Sequence, residues 1–233
     1  MGDPQKITAF ILAGGKGTRL RSLVSGRQKV AAVVKGRPFV TFLLDQLIVN
    51  GIRHAVLCAG YLGNELKELL RESYGALCLT YSIEKEPLGT AGALRHAATH
   101  LTSDSVLVLN GDSYCDFNLG KLMAFHSAKA AEASILLTPM EDTSRYGRVL
   151  LDGEDRVVRF EEQGAHGGEG LINAGVYLLS AALIRSIPRD RAVSLEREIF
   201  PGLTALFGLR VPGPFLDIGT PEDYARAAIF FSH

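Results

Sequence analysis

Ile7-Thr8-Ala9-Phe10-Ile11-Leu12-Ala13-Gly14-Gly15-Lys16-Gly17-Thr18-Arg19-Leu20 passes from a strand-length apolar run into a glycine-rich turn carrying two cations and a hydroxyl. Glycines let backbone N–H groups close on phosphate oxygens, and Lys16 and Arg19 add charge-assisted hydrogen bonds that a merely structural turn does not require. The turn reads as a cradle for a triphosphate. It is not a Walker loop, because Gly17 follows Lys16 where Ser or Thr is needed, and the dinucleotide fingerprint fails at Leu20, where its third glycine belongs. A tight strand-to-helix turn that binds nothing explains the glycines but leaves Lys16 and Arg19 without a purpose.

Outward from this turn, apolar runs of strand length alternate with segments of helical period, the pattern of βαβ units. Pro38 to Asn50 predicts a helix closed by Gly51, and His54 to Ala59 a strand. Asn64 is placed to cap a helix presenting Leu66, Leu69 and Leu70, followed by a strand from Leu77 to Ser82. Thr90 is placed to cap the next helix, running to His100. Ser105 to Asn110 is a continuous apolar run, as in a strand buried on both faces, and it ends in Asn110-Gly111-Asp112. Further strands are expected at Ser134 to Thr138, Gly147 to Leu151, Val157 to Glu161 and Ala174 to Ser180, with a hairpin at Asp152-Gly153. The expected fold is α/β: a Rossmann-like open, mostly parallel sheet flanked by helices, with a small mixed or antiparallel extension.

The 233 residues suit one domain spanning 1–233, and 25 basic against 25 acidic residues, with no basic stripe, give nucleic acid no electrostatic hold. No apolar stretch reaches membrane-spanning length and no secretory leader is read, so a cytoplasmic, membrane-free protein is expected. Cys58, Cys78 and Cys115 form no C-x-x-C pair and read as free thiols filling the core.

Ligands of open α/β sheets bind beyond the carboxyl ends of the strands, so Asp112 and the glycine-rich turn should face one crevice. Near the C-terminus, Phe215-Leu216-Asp217-Ile218-Gly219-Thr220-Pro221-Glu222-Asp223-Tyr224 announces a helix with Thr220 as cap and Pro221 at its first position. Glu222 and Asp223 belong to that first turn, whereas Asp217 lies outside it and reads as functional. Asp112 and Asp217 together make a minimal hard-oxygen site for Mg²⁺, which commonly takes one or two carboxylates and completes its shell with phosphate oxygens and water.

Leu12 to Leu20, Lys29, Glu86-Pro87-Leu88-Gly89-Thr90-Ala91-Gly92-Ala93, Asn110-Gly111-Asp112, Asn173-Ala174-Gly175-Val176-Tyr177 and Asp217 to Tyr224 resemble, in order and over nearly the whole chain, the sugar-1-phosphate nucleotidyltransferases. Within that superfamily, Tyr81 to Thr90 and the chain length look most like the D-glycero-α-D-manno-heptose 1-phosphate guanylyltransferases, with mannose-1-phosphate guanylyltransferases next. The resemblance implies transfer of a nucleotide from an NTP to a sugar 1-phosphate, with Mg²⁺ and release of pyrophosphate, for bacterial capsule, lipopolysaccharide or other surface glycan. It assigns catalysis to Arg19, Lys29 and Asp112, and the metal to Asp112 and Asp217. Leu12, Ala13, Gly14, Gly15, Lys16, Gly17, Thr18, Glu86, Leu88, Gly89, Thr90 and Gly111 are assigned to the nucleotide. Gly147, Glu162, Asn173 and Gly175 are assigned to the sugar, as is Glu196, which reads equally as a solvated acid in a helix start capped by Ser194.

Two departures from the family pattern stand out: Gln28 and Val30 flank Lys29 where prolines are usual, and Gln163 replaces the lysine of Phe-x-Glu-Lys. Lys29, Arg148 or a metal must then neutralise the sugar phosphate. Mannose or another hexose 1-phosphate remains an alternative substrate, and a nucleotide-sugar-binding regulatory protein without catalysis an alternative class. A homodimer is expected only because symmetric dimers are the commonest soluble oligomers.

Overall fold

β1 (Thr8–Ala13), whose side chains are buried on both faces, lies inside an eight-stranded sheet in the computed structural model, which describes residues 3–15, 29–60, 62–164 and 167–232. Lys16, Gly17, Thr18, Arg19 and Gln28 lie outside the described residues. The hairpin of β2 (Val33–Val34) and β3 (Arg37–Pro38) leads into α1 (Val40–Val49), which Gly51 closes at φ +81°. β4 (His54–Ala59), α2 (Gly63–Leu70), β5 (Ser73–Tyr74), β6 (Leu77–Ile83) and α3 (Gly89–His96) follow. Next come β7 (Ser105–Asn110), β8 (Ser113–Cys115), α4 (Leu119–Ala128) and β9 (Ala133–Met140). β10 (Val149–Leu151), β11 (Val157–Phe160), β12 (Gly170–Ser180), α5 (Ala181–Ser186), β13 (Leu206–Arg210), β14 (Phe215–Asp217) and α6 (Pro221–Phe230) complete the described chain.

The sheet order is β13-β9-β12-β7-β1-β4-β6-β5, with β7, β1, β4 and β6 parallel. Register pairs Leu12 with Asn110, Ala13 with Ala59, and Ala59 with Ile83, so the carboxyl ends of these strands finish together along one edge. That edge is where an α/β sheet opens its binding crevice. Apolar side chains pack on both faces. Phe39, Leu43, Leu47 and Leu66 lie on one side, and Phe10, Leu94, Tyr177 and Phe200 on the other.

The later strands join this sheet more fully than their spacing suggests. β12, buried along most of its length, runs antiparallel between β7 and β9, and β13 adds a parallel edge strand beside β9. β10 and β11 form a hairpin apart from this sheet, and Asp152 holds its turn by accepting the N–H groups of Glu154 and Arg156, each at 2.9 Å.

Four local expectations are corrected. Asn64 lies inside α2, whose N-cap is Leu62 with no side-chain bond, and Leu69 points outward, exposed. α3 starts at Gly89 without a side-chain cap, ends at His96 and passes into a 3₁₀ turn over Ala97–His100. The Thr90 hydroxyl instead accepts the Leu195 N–H at 2.8 Å, satisfying the start of another turn. Cys58 and Cys115 are buried free thiols, whose burial pushes both pKa values up, Cys115 to about 12, but Cys78 is exposed. Thr220 does cap α6, accepting the Asp223 N–H with Pro221 in the first turn. Among the described residues no helix is long and apolar enough to cross a membrane.

Candidate active site

Lys29, Asp112 and Asp217 meet at the carboxyl edge of the sheet. Lys29 Nζ donates to Asp112 Oδ2 at 2.6 Å and to Asp217 Oδ1 at 3.5 Å. The ammonium side chain is 13% exposed, whereas the two carboxylates are 41% and 34% exposed and so open toward solvent. Local backbone explains why residues so far apart in sequence converge. Asp112 follows β7, and β14 pairs antiparallel with β8 so that Asp217 stands opposite Ser113. The Ile218 N–H then closes on the Asp112 carbonyl at 2.9 Å. Burial raises the Asp217 pKa above the ordinary carboxylate value and Asp112 raises it further, against the opposing pull of Lys29 and the Gly219 N–H. Two carboxylates sharing one ammonium are short of positive charge. Oxygen donors in this arrangement suit a hard divalent cation that keeps other coordination positions for phosphate and water. Among the described residues no group of three or more His, Cys, Asp or Glu side chains is placed to hold a metal.

Gly111 fixes the two strand ends against each other. Its N–H donates to the Leu12 carbonyl at 2.9 Å, and a Cβ there would lie 2.6 Å from that oxygen and 2.7 Å from Val30 Cγ1. Gly111→Ala must separate β7 from β1 where Asp112 begins. The expected cost is about 1–3 kcal/mol, a Tm lowered by about 3–10 °C in a chain of this size. Thermal denaturation checks it, and an unchanged midpoint contradicts the close approach.

Leu12 and Ala13 end β1, Gly14 follows them, and Gly15 is exposed. Glu84, just beyond β6, is buried beneath them. Its Oε2 accepts the Leu88 N–H at 3.3 Å, and its Oε1 would lie 2.8 Å from a Cβ on Gly14. Burial raises the Glu84 pKa, opposed by the Leu88 N–H and His96. Gly89 has φ +73°, and a Cβ there would meet the Val193 carbonyl at 2.5 Å, so its lack of a side chain serves that approach. Glu86 is exposed with no side-chain partner among the described residues.

A cavity of 890 Å³ is lined by Gly147, Glu162, Gln163, Asn173 and Glu196, together with Arg197. β12 shifts register between Asn173 and Tyr177, and Gly175 (φ +74°) donates its N–H to Asn173 Oδ1 at 2.9 Å. Asn173 Nδ2 donates to the Tyr177 hydroxyl at 2.9 Å, which donates to Glu196 Oε1 at 3.3 Å. Glu196 Oε2 accepts from Thr90 and Ser194, each at 3.1 Å. Glu196 is therefore no solvated surface acid. It ties Thr90 at the start of α3 to Asn173 on β12 through Tyr177. Arg148 does not line the cavity and is drawn toward Glu161, with Nε 3.8 Å from Oε2.

Glu84, Arg145 and Tyr177 were not legible as site groups. Arg145 donates to the buried Asp223, Nη1 to Oδ1 at 3.2 Å with a second bond from Nη2, anchoring the segment of Tyr146 and Gly147 to the start of α6. The acidic first turn of α6 was visible, but not the arginine it awaits.

The nucleotidyl transferase family pattern matches residues 8–232. The chain is 34% identical over 228 residues to a D-glycero-alpha-D-manno-heptose 1-phosphate guanylyltransferase of Aneurinibacillus thermoaerophilus, covering 97% of this chain and 98% of that one. It is 36% identical over 229 residues to a mannose-1-phosphate guanylyltransferase of Mycobacterium tuberculosis, covering 96% of this chain but only 64% of the relative, so it spans less than two thirds of that protein. Its fold matches HddC from Yersinia pseudotuberculosis complexed with GMP-PN at a TM-score of 0.87 and 31% identity, over 97% of this chain and 100% of that one.

Proposed function

We propose that this chain, which belongs to the nucleotidyl transferase family, transfers a nucleoside monophosphate from an NTP to a sugar 1-phosphate and releases pyrophosphate. The observation that carries this reading is Lys29 held between Asp112 and Asp217 at the carboxyl edge of the sheet. An oxygen of the sugar phosphate is already anionic and needs no protein base. What the reaction needs is alignment of two anions and neutralisation of the charge that grows at the α-phosphorus. Lys29 supplies that charge at the reacting phosphates, and Arg19 and Lys16 hold the outer phosphates of the NTP. Asp112 and Asp217 would hold Mg²⁺, which when bound acts as a Lewis acid on the α-phosphate. Arg197 brings a cation to the cavity beside Gln163, in place of the missing lysine.

GTP and D-glycero-α-D-manno-heptose 1-phosphate are the substrates we favour. The likeness to HddC, solved with GMP-PN, and to a heptose enzyme supports this pair, while 36% identity to a mannose enzyme keeps mannose 1-phosphate as the alternative. Glu84 supports guanine on chemical grounds. A buried carboxylate beside the Gly14 turn accepts the adjacent N1–H and N2–H₂ donors of guanine, whereas adenine turns an unprotonated N1 toward it. The product would feed capsule or lipopolysaccharide assembly from the cytoplasm.

Pyrophosphate release with Mg²⁺, crossing five NTPs against heptose, mannose and glucose 1-phosphates, tests the reading. Turnover with GTP and the manno-heptose phosphate is expected, and another productive pair would replace the substrate but keep the reaction. No turnover, with nucleotide sugar still bound, would leave a binding protein. Glu84→Gln is expected to cut kcat/KM for GTP by about tenfold or more, the effect of losing a charged hydrogen bond, with little change for ATP. An equal loss for both nucleotides would show that Glu84 only supports the Gly14 turn.

A further inference from the structure

We propose that Arg95, Arg189 and Arg191 form a second anion site, one that takes a diphosphate or phosphate ester, in a cavity of 510 Å³ between β6, α3 and the segment after α5. The cavity shares no lining residue with the one facing Asn173 and Glu196, and none of Lys29, Asp112 or Asp217 reaches it. His96 and His100 also line it, and among the described residues no Asp or Glu does. The acids that act on this group are Glu198, which pairs with Arg191, and Glu84, whose charge meets His96. Asp190, between two of the arginines, makes no ion pair among the described residues.

Of the three arginines only Arg191 has an acidic partner among the described residues, and like charges gathered in this way raise the energy of the folded chain unless an anion answers them. Nε of Arg95 is buried with no hydrogen-bond partner, an orphan donor that a folded protein ordinarily avoids. Burial first, then the charges of Arg189 and Arg185, lower the Arg95 pKa, so these guanidiniums act on one another. Guanidinium forks match phosphate oxygens two at a time, and the volume exceeds what a halide needs. Leu88 and Gly92 form part of the wall, and the Leu88 carbonyl accepts the Val193 N–H at 2.8 Å, so an anion here would lie against the loop assigned to the nucleotide.

Calorimetric titration of the full chain with inorganic pyrophosphate in EDTA tests the site apart from any metal-dependent binding. We expect one pyrophosphate per chain, bound alike by wild type and Asp112→Asn, with inorganic phosphate weaker. Arg189→Ala, on an exposed segment, and Arg95→Gln are each expected to weaken binding about tenfold or more, with melting curves confirming that both variants are folded. Arg226→Ala removes an exposed arginine elsewhere and should leave binding unchanged. The proposal is overturned by no binding in EDTA, by equal affinity in wild type and both cavity variants, by loss in Asp112→Asn, or by an equal loss in Arg226→Ala.

Discussion

Asp217→Asn is expected to raise the Tm of the chain at neutral pH while cutting turnover by about 100- to 1,000-fold. The two effects have one origin. Burial and the neighbouring Asp112 raise the Asp217 pKa, so the folded chain holds this proton more tightly than the unfolded chain does. For an acid shifted upward the sign is fixed. The cost is absent below the ordinary aspartate value, appears as pH rises through the raised value and persists at neutral pH. An amide removes that cost and leaves Lys29 its shorter bond, the 2.6 Å contact with Asp112. Because Asp217 is partly open to solvent, the gain is only about 1–2 °C, shrinking toward zero near pH 3.5. Reacting phosphates need the opposite, a full complement of negative oxygen to hold a cation. Mg²⁺ should therefore stabilise wild type against heat more than the variant. A lower Tm for Asp217→Asn at neutral pH would mean that the Lys29 contact outweighs the repulsion, and the strain assigned to this centre would be wrong.

Such strain marks the boundary of what the sequence conveys. β1, β4 and β7 were legible because a strand buried on both faces writes itself as an uninterrupted apolar run, and α6 because Thr220 and Pro221 are local signals. Asp112 and Asp217 were legible for the complementary reason that local structure did not account for Asp217. The hydroxyl of Thr90 was misassigned because its partners, Leu195 and Glu196, lie more than a hundred residues away in sequence. Arg145 and Asp223 are separated by 78 residues and were missed likewise. Glu84 sits inside the Tyr81 to Thr90 motif, but nothing local in that stretch announces its burial against Gly14, which is distant in sequence. Long-range polar pairing leaves no periodicity, and the site is built largely of it.

A single methyl group at Gly175 is expected to be strongly disruptive. Gly175→Ala meets two penalties at once. Its φ of +74° puts an L-residue in the left-handed region, and its Cβ would lie 2.5 Å from Ser113 Oγ and 2.9 Å from Asn110 Cβ. The first costs about 1–2 kcal/mol and the second about 1–3 kcal/mol, a large part of the roughly 5–15 kcal/mol that holds a domain folded. Two companions separate the terms. Gly36→Ala has φ +81° with nothing within 4 Å, so it reports backbone strain alone, and Gly153→Ala meets nothing and has no positive φ. The expected order of Tm is Gly153→Ala near wild type, Gly36→Ala lower by about 2–6 °C, and Gly175→Ala lowest by about 5–15 °C. Gly36 and Gly175 variants melting together would mean that Ser113 and Asn110 yield freely, and that the β12 bulge is not packed against the strand leading to Asp112. If the order holds, the side proposed for the sugar should suffer first. The Gly175 N–H orients Asn173, and Asn173 opens the chain of bonds through Tyr177 and Glu196 to Thr90. KM for the sugar phosphate should then rise more than KM for the nucleotide, because Asn173 lines the cavity proposed for the sugar, whereas the loop proposed for the nucleotide is reached only through that chain.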